Sequence, residues 1–187
     1  MKQKQYIFGY GSLVSAKDIE RTLGHPPASL EQTTLMGWVR DWSLILDNTT
    51  TTRRYETVPK GKVPNFVVAL NIHTPVDREQ ATNPNGLLFP VTDEEIRKMD
   101  QRETHYYRVE VTQQITYKPD GKVYAYVGLS EHLGTPGLRS KAILPNSYRK
   151  LVEAGFSTFG KDSLEKFKRS TLASNVPEIP TIHTSNV

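Results

Sequence analysis

The chain contains no cysteine, which excludes disulfides, thiol nucleophiles and thiolate metal sites. It also contains no apolar run approaching the length that spans a bilayer, so no membrane partner is expected. Met1-Lys2-Gln3-Lys4-Gln5 leads directly into a short apolar segment, without the long hydrophobic region and small-residue cleavage site of a signal peptide. A cytoplasmic protein is expected on that ground. The histidines, His25, His73, His105, His132 and His183, show no metal-ligand spacing, and no metal is expected. The formal net charge is +4, but the basic residues are scattered apart from Arg53-Arg54 and Lys166, Lys168 and Arg169. The last three read as the solvated face of a helix. A clustered basic patch interleaved with aromatics is missing, so no nucleic-acid partner is expected. No feature of the sequence specifies an oligomer.

What remains is a chain of 187 residues, long enough for one domain with a real core. That domain is expected over residues 1–172. The tail, 173–187, holds two prolines and no pattern, and is expected to be loosely ordered.

The most informative segment is near the start. The apolar run Tyr6-Ile7-Phe8 leads into Tyr10-Gly11-Ser12-Leu13-Val14, and a helix follows. Ser15 is placed to cap it with Asp18 three residues on, Ile19 and Leu23 form an apolar face, and Gly24 is a stop signal. Further strands are expected over Thr34–Leu46, where Trp38, Arg40 and Trp42 alternate onto one face, over Val63–Thr74 and at Leu87-Leu88-Phe89. Asn48–Thr52 reads as a polar loop and Asn83-Pro84-Asn85-Gly86 as a turn. Thr92 with Glu95 makes a capping box for a second helix. Tyr106–Tyr117 and Lys122–Leu129 read as a hairpin about Lys118-Pro119-Asp120-Gly121. Two helices follow, over Asn146–Ala154 and Asp162–Leu172. Strands and helices do not alternate strictly. The expected fold class is α+β, a small mixed, largely antiparallel β-barrel flanked by about four short helices.

A glycine loop entering a helix can cradle an anion or oxyanion with its backbone N–H groups. A dinucleotide fingerprint is excluded, because Gly9-Tyr10-Gly11 is followed by Val14 where a third glycine belongs and no βαβ repeat follows. A nucleophile elbow at Ser12 would need glycines at the positions of Tyr10 and Val14. Ser12 therefore reads as a hydrogen-bond donor. Binding of a carboxylate or amide oxygen, and an ordinary strand-to-helix turn, both stay open from this segment alone.

Asp100-Gln101-Arg102-Glu103 ends the second helix and precedes the strand at Tyr106. A carboxylate there is well placed to act in a cleft, although a single glutamate is most often surface. Arg102 is placed to pair with Asp100. Taken together, F-x-Y-G-S-L, G-L-L-F-P-V-T-D-E-E, M-D-Q-R-E, Y-Y-R-V-E-V and Pro145-Asn146-Ser147-Tyr148-Arg149-Lys150 resemble the γ-glutamylcyclotransferase-like superfamily over about residues 6–170. That group includes γ-glutamylcyclotransferases, γ-glutamylamine cyclotransferases, the glutathione-specific ChaC branch and AIG2-like plant proteins.

The resemblance implies a small β-barrel with flanking helices and a cofactor-free site for a small γ-glutamyl substrate. Tyr10, Gly11, Ser12 and Leu13 would form the binding loop, and Glu103 would be the catalytic acid/base. Tyr126 and Tyr148 match tyrosines that line the family's pocket, and Tyr106 a third, with Tyr107 as the alternative. Many γ-glutamylcyclotransferases carry asparagine where this chain has Leu13, and Y-G-S-L is closer to the ChaC-like and bacterial branches. The implied reaction is attack of the substrate α-amine on its γ-glutamyl carbonyl, releasing 5-oxoproline and an amine, amino acid or peptide. A hydrolase releasing glutamate and a non-catalytic γ-glutamyl-binding module are the alternatives. Around this site, His105 is a candidate tuning residue, Arg40 a minor candidate for a substrate carboxylate, and Arg53-Arg54 a candidate guard of the pocket mouth; for each, a structural or solvated role is the commoner one.

Overall fold

The computed structural model describes residues 3–50, 53–59 and 62–185. β1 (Gln5–Gly9) runs through a 3-10 turn (Ser12–Val14) into α1 (Ala16–Leu23). The caps expected of α1 are in place. Ser15 accepts the Asp18 N–H at 3.4 Å, and Gly24 ends the helix in the left-handed region at φ 90°.

The stretch expected as one strand over Thr34–Leu46 is two, β2 (Glu31–Thr34) and β3 (Val39–Asp47). Gly37, at φ 80°, turns the chain between them, and its N–H donates to Asn83 Oδ1 at 2.8 Å. β4 (Arg53–Thr57), β5 (Phe66–His73) and β6 (Asn85–Val91) follow, then α2 (Asp93–Arg102). β7 (Tyr106–Glu110) is shorter than its alternation suggests. Val111 leaves the strand conformation (ψ 21°) and, with Ile115, buries completely in the core. β8 (Lys122–Gly128) pairs antiparallel with β7, as the hairpin pattern requires. A four-residue helix without a sequence signal, α3 (Pro136–Arg139), precedes β9 (Ala142–Pro145), α4 (Asn146–Ser157) and α5 (Lys161–Arg169).

The segment after Ala173, expected to be loose, supplies β10 (Glu178–Ile179) and β11 (Thr181–Ser185). β10 adds to β9, and β11 pairs with β4 from Thr181↔Thr57 to Ser185↔Arg53. Thr51 and Thr52 of the expected polar loop lie outside the described residues, as does the Arg53 side chain.

The class is α+β, and the pairing is mixed and largely antiparallel: β1–β8, β5–β9 and β9–β10 are parallel, the other pairs antiparallel. The expected barrel is not formed. The strands make a five-stranded sheet (β2-β6-β1-β8-β7), a four-stranded sheet (β10-β9-β5-β3) and a two-stranded one (β11-β4). Where β5 meets β8, a side chain stands in for the ladder that closure would need. The buried Asn71 accepts the Gly128 N–H at 2.8 Å and donates to Ser43 Oγ at 3.0 Å. Gly128 permits this approach, since a Cβ there would lie 2.6 Å from Leu44 Cδ1.

The alternation of β1 divides the core. Ile7 packs with Ile19, Leu23, Phe89 and Met99 beneath α1 and α2. Phe8 packs with Leu44, Leu70, Ile72 and Phe156 between the larger sheets and α4. No described helix is long and apolar enough to cross a membrane.

Candidate functional site

β1 delivers the glycine loop to a point where the end of α2 and the start of α4 converge with β5, β7 and β8. Gly9 lets the loop fold back over its own strand, because a Cβ there would lie 2.4 Å from the Leu13 carbonyl. Two bonds of 3.1 Å, Val14 N–H to Gly11 O and Ser15 N–H to Ser12 O, set the turn. The N–H groups of Ser12 and Leu13 precede the first of these, so the turn gives them no acceptor. Gly9→Ala is expected to cost about 1–3 kcal/mol through this overlap, measurable by urea unfolding.

Glu103 is placed from the other side. The capping box at Thr92 is complete: the Thr92 N–H donates to Glu95 Oε2 at 2.7 Å, and the Glu95 N–H donates to Thr92 Oγ1 at 3.2 Å. The helix it starts ends on Glu103, whose N–H donates to Met99 O and whose carbonyl accepts the Tyr106 N–H, each at 2.9 Å. With its backbone fixed on both sides, the Glu103 side chain is only 14% exposed. Arg102 does not pair with Asp100 as expected. Its Nη1 contacts the Glu103 carboxylate, and its Nη2 donates to Ser12 Oγ at 2.9 Å. Asp100 instead accepts from Arg108 Nε at 3.0 Å and from the Tyr126 hydroxyl at 2.8 Å, so residues adjacent on the last helical turn face different partners.

Tyr10, Gly11, Ser12, Leu13, Glu103, Tyr106, Tyr126 and Tyr148 all line one inner pocket of about 30 Å³, with Phe8, Gly9 and Leu70. Three of the phenols are committed donors. Tyr10 donates to the Tyr126 carbonyl at 2.6 Å, Tyr106 to the Leu70 carbonyl at 2.9 Å, and Tyr126 to Asp100. Burial, above all, pushes all three above the ordinary phenol range, and the Glu103 charge adds to this. They are therefore neutral donors, and Glu103 is the carboxylate among the pocket's described lining residues. Tyr148, braced edge-on by Trp42 at 6.0 Å between ring centres, has its hydroxyl 3.2 Å from where Gly11 would carry a Cβ. Tyr107, the alternative to Tyr106, is exposed and outside the pocket.

The pocket opens into a chamber of about 280 Å³ that shares Ser12, Glu103, Tyr106 and Tyr148 with it. Its further wall is Leu46, Thr50, Tyr55, Val67, Val68, Ala69, Arg102, Thr104 and His105. Most of this wall lacks any chemical motif, and Tyr55 comes from β4, whose partner strand lies in the tail. His105 also stacks edge-on with His132 at 4.7 Å. Burial first, then the neighbouring His132, lowers its pKa below the ordinary histidine value of 6.5. A base that is harder to protonate when folded contributes stability fully above pH 6.5 and loses it as pH falls through the lowered folded value. An NMR titration is expected to give a His105 midpoint below 6.5, and His132→Ala is expected to move it upward.

Arg40 is elsewhere. Fully buried, it lines neither cavity. Its guanidinium lies 4.5 Å from the centre of the Phe167 ring and 5.3 Å from that of Phe156, so these two rings cover the charged head. Arg54 sits on β4 with Nε buried and without a hydrogen-bond partner among the described residues, and is not in either cavity wall. Among the described residues, no three His, Cys, Asp or Glu side chains gather as a metal site.

This architecture is that of the γ-glutamylcyclotransferase-like fold. A solved γ-glutamyl cyclotransferase superposes with a TM-score of 0.54 at 14% identity, over 89% of this chain and 87% of that one. The yeast γ-glutamyl cyclotransferase specific to glutathione superposes with a TM-score of 0.52 at 13% identity, over 91% of this chain and 98% of that one. No protein-family model and no curated protein sequence matches the chain. At these identities the likeness shows the fold.

Proposed function

We propose that this protein is a cofactor-free γ-glutamyl cyclotransferase with Glu103 as its general acid/base. The observation that carries the reading is the inner pocket, where the Tyr10–Leu13 loop and Glu103, far apart in sequence, share one wall. The structural neighbours named γ-glutamyl cyclotransferases share this fold.

The chemistry needs little more than this. The substrate's α-ammonium must first lose a proton, which the Glu103 carboxylate accepts. The freed amine attacks the γ-carbonyl, forming a new C–N bond in a five-membered ring. Glu103 then returns the proton to the departing nitrogen as the original amide C–N bond breaks, and the second proton, left on the ring nitrogen, passes through the same carboxylate to the released amine, which departs as an ammonium. Because nucleophile and electrophile belong to one molecule, the site's work is to fold the substrate and hold it. The Ser12 and Leu13 N–H groups are suited to the glutamyl carboxylate or the developing oxyanion. The neutral phenols of Tyr10, Tyr106 and Tyr126 shape the pocket without competing for the proton.

The test is to incubate the protein with glutathione, γ-glutamyl amino acids and γ-glutamyl amines and identify the products. 5-Oxoproline is the expected product. Glutamate would mean that Glu103 activates water, and binding without product would mean a ligand-binding module.

A further inference from the structure

We propose that Arg102 reads a carboxylate on the leaving group, so that the outer chamber selects γ-glutamyl compounds whose leaving group ends in a carboxylate over those whose leaving group is a simple or cationic amine. This rests on the cyclotransferase reading, which places the scissile amide beside Glu103.

Glu103, Ser12, Tyr106 and Tyr148 form the border between the two spaces. The inner pocket of about 30 Å³ admits only the tip of the glutamyl end, its carboxylate or ammonium at the glycine loop. The group beyond the amide must then occupy the chamber of about 280 Å³. Leu46, Val67, Val68 and Ala69 give that chamber an apolar wall. Arg102 lines the chamber and not the inner pocket, and it is the cation among the chamber's described lining residues besides His105, whose imidazole is held toward its neutral form.

A guanidinium carries five N–H donors in a flat fork. Among the described residues, Arg102 uses Nη1 on Glu103 and Nη2 on Ser12, which leaves Nε and the second hydrogen of each terminal nitrogen for a ligand. At 18% exposure, a carboxylate bound there is partly desolvated, and a charge-assisted pair gains accordingly. A leaving group ending in an ammonium would meet the same guanidinium with like charge. One that ends in an alkyl group would fill the apolar wall and leave the donors unmet.

Two substrates that differ only in this carboxylate test the proposal: γ-glutamyl-leucine and γ-glutamyl-isopentylamine, each followed by 5-oxoproline release. The wild-type protein is expected to prefer the first by about 10–100-fold in kcat/KM, mainly through KM. In Arg102→Gln the preference is expected to fall to near unity. If Arg102 serves only to hold Glu103 and Ser12, the variant lowers both rates by one factor and keeps the preference, which overturns the proposal. Equal wild-type rates also overturn it while leaving the cyclotransferase reading intact. Absence of 5-oxoproline from both substrates overturns that reading and this inference with it. Should Arg102→Gln turn over too slowly to compare, calorimetric binding of the two substrates to wild type and variant reads the same preference.

Discussion

Glu103→Gln is expected to lower turnover by about 10²–10⁴-fold, the range contributed by a positioned proton carrier, while leaving the protein folded. Among the described residues lining the inner pocket it is the carboxylate, and the buried phenols of Tyr10, Tyr106 and Tyr126 are held too far above neutrality to replace it. Glutamine keeps the shape and can still accept a hydrogen bond from Arg102 through its carbonyl oxygen. It cannot shuttle a proton. The backbone at this position is fixed by bonds to Met99 and Tyr106 that the substitution does not touch. The two side chains are 18% and 14% exposed, and glutamine still accepts from the guanidinium, so the loss of the charge is expected to cost about 1–3 kcal/mol, which leaves the protein folded. Turnover and thermal unfolding measured on the same preparation check both halves. A near-normal rate would remove Glu103 from the mechanism.

The second large effect is on stability. Arg40→Lys is expected to destabilise the protein by about 3–5 kcal/mol, and Arg40→Ala by at least as much, read as a lowered urea midpoint. Arg40 enters from β3 and ties distant segments together. It donates to Asn85 O at 2.6 Å, Asn85 Oδ1 at 3.0 Å, Phe167 O at 3.2 Å, Ser170 Oγ at 2.9 Å and Thr171 Oγ1 at 2.7 Å. A longer contact of 3.5 Å reaches the Tyr10 carbonyl at the root of the glycine loop. Burial lowers its pKa to about 9, so it stays charged at neutral pH. Lysine preserves the charge but not the planar fork, and would leave several of these buried acceptors without donors. A loss below about 1 kcal/mol for the lysine variant would show that the fork is not what holds α5 and β6 together.

The parts of this molecule that were legible in the sequence are those fixed by local chemistry. Ser15, Gly24 and the Thr92/Glu95 box set helix ends through contacts within a few residues, and their pattern can be read directly. The antiparallel pairing of β7 with β8 was legible from alternation, but its connection was not: β7 ends at Glu110, and residues 111–121, with a 3-10 turn at Thr112–Gln114, lie between the strands. The stretch at Thr34–Leu46 divides into β2 and β3 at Gly37, whose left-handed φ breaks the strand in a way that the alternation of Trp38, Arg40 and Trp42 does not record. β4 and the tail strands were hidden because their pairing is long-range. Pro177 and Pro180 mark the tail as irregular, yet its strands complete edges left by β9 and β4. Barrel closure failed on a side-chain substitution, Asn71 for a rung of ladder, that no periodicity records.

The residues named from motifs, Tyr10 to Leu13, Glu103, Tyr106, Tyr126 and Tyr148, are brought together around one pocket. The chamber beyond it was not legible. Leu46, Tyr55, Val67, Val68 and Ala69 are ordinary strand residues, and their role as a wall follows only from how β3, β4 and β5 are placed. The expected Arg102–Asp100 pair does not form, because spacing along a helix end does not say which way a long side chain folds.

The most direct test of the central claim is turnover of a γ-glutamyl substrate in water enriched in oxygen-18, with the products weighed by mass spectrometry. Intramolecular cyclisation predicts 5-oxoproline that carries no heavy oxygen, together with the free leaving group. Glutamate carrying one heavy oxygen, or substrate returned unchanged, would contradict it.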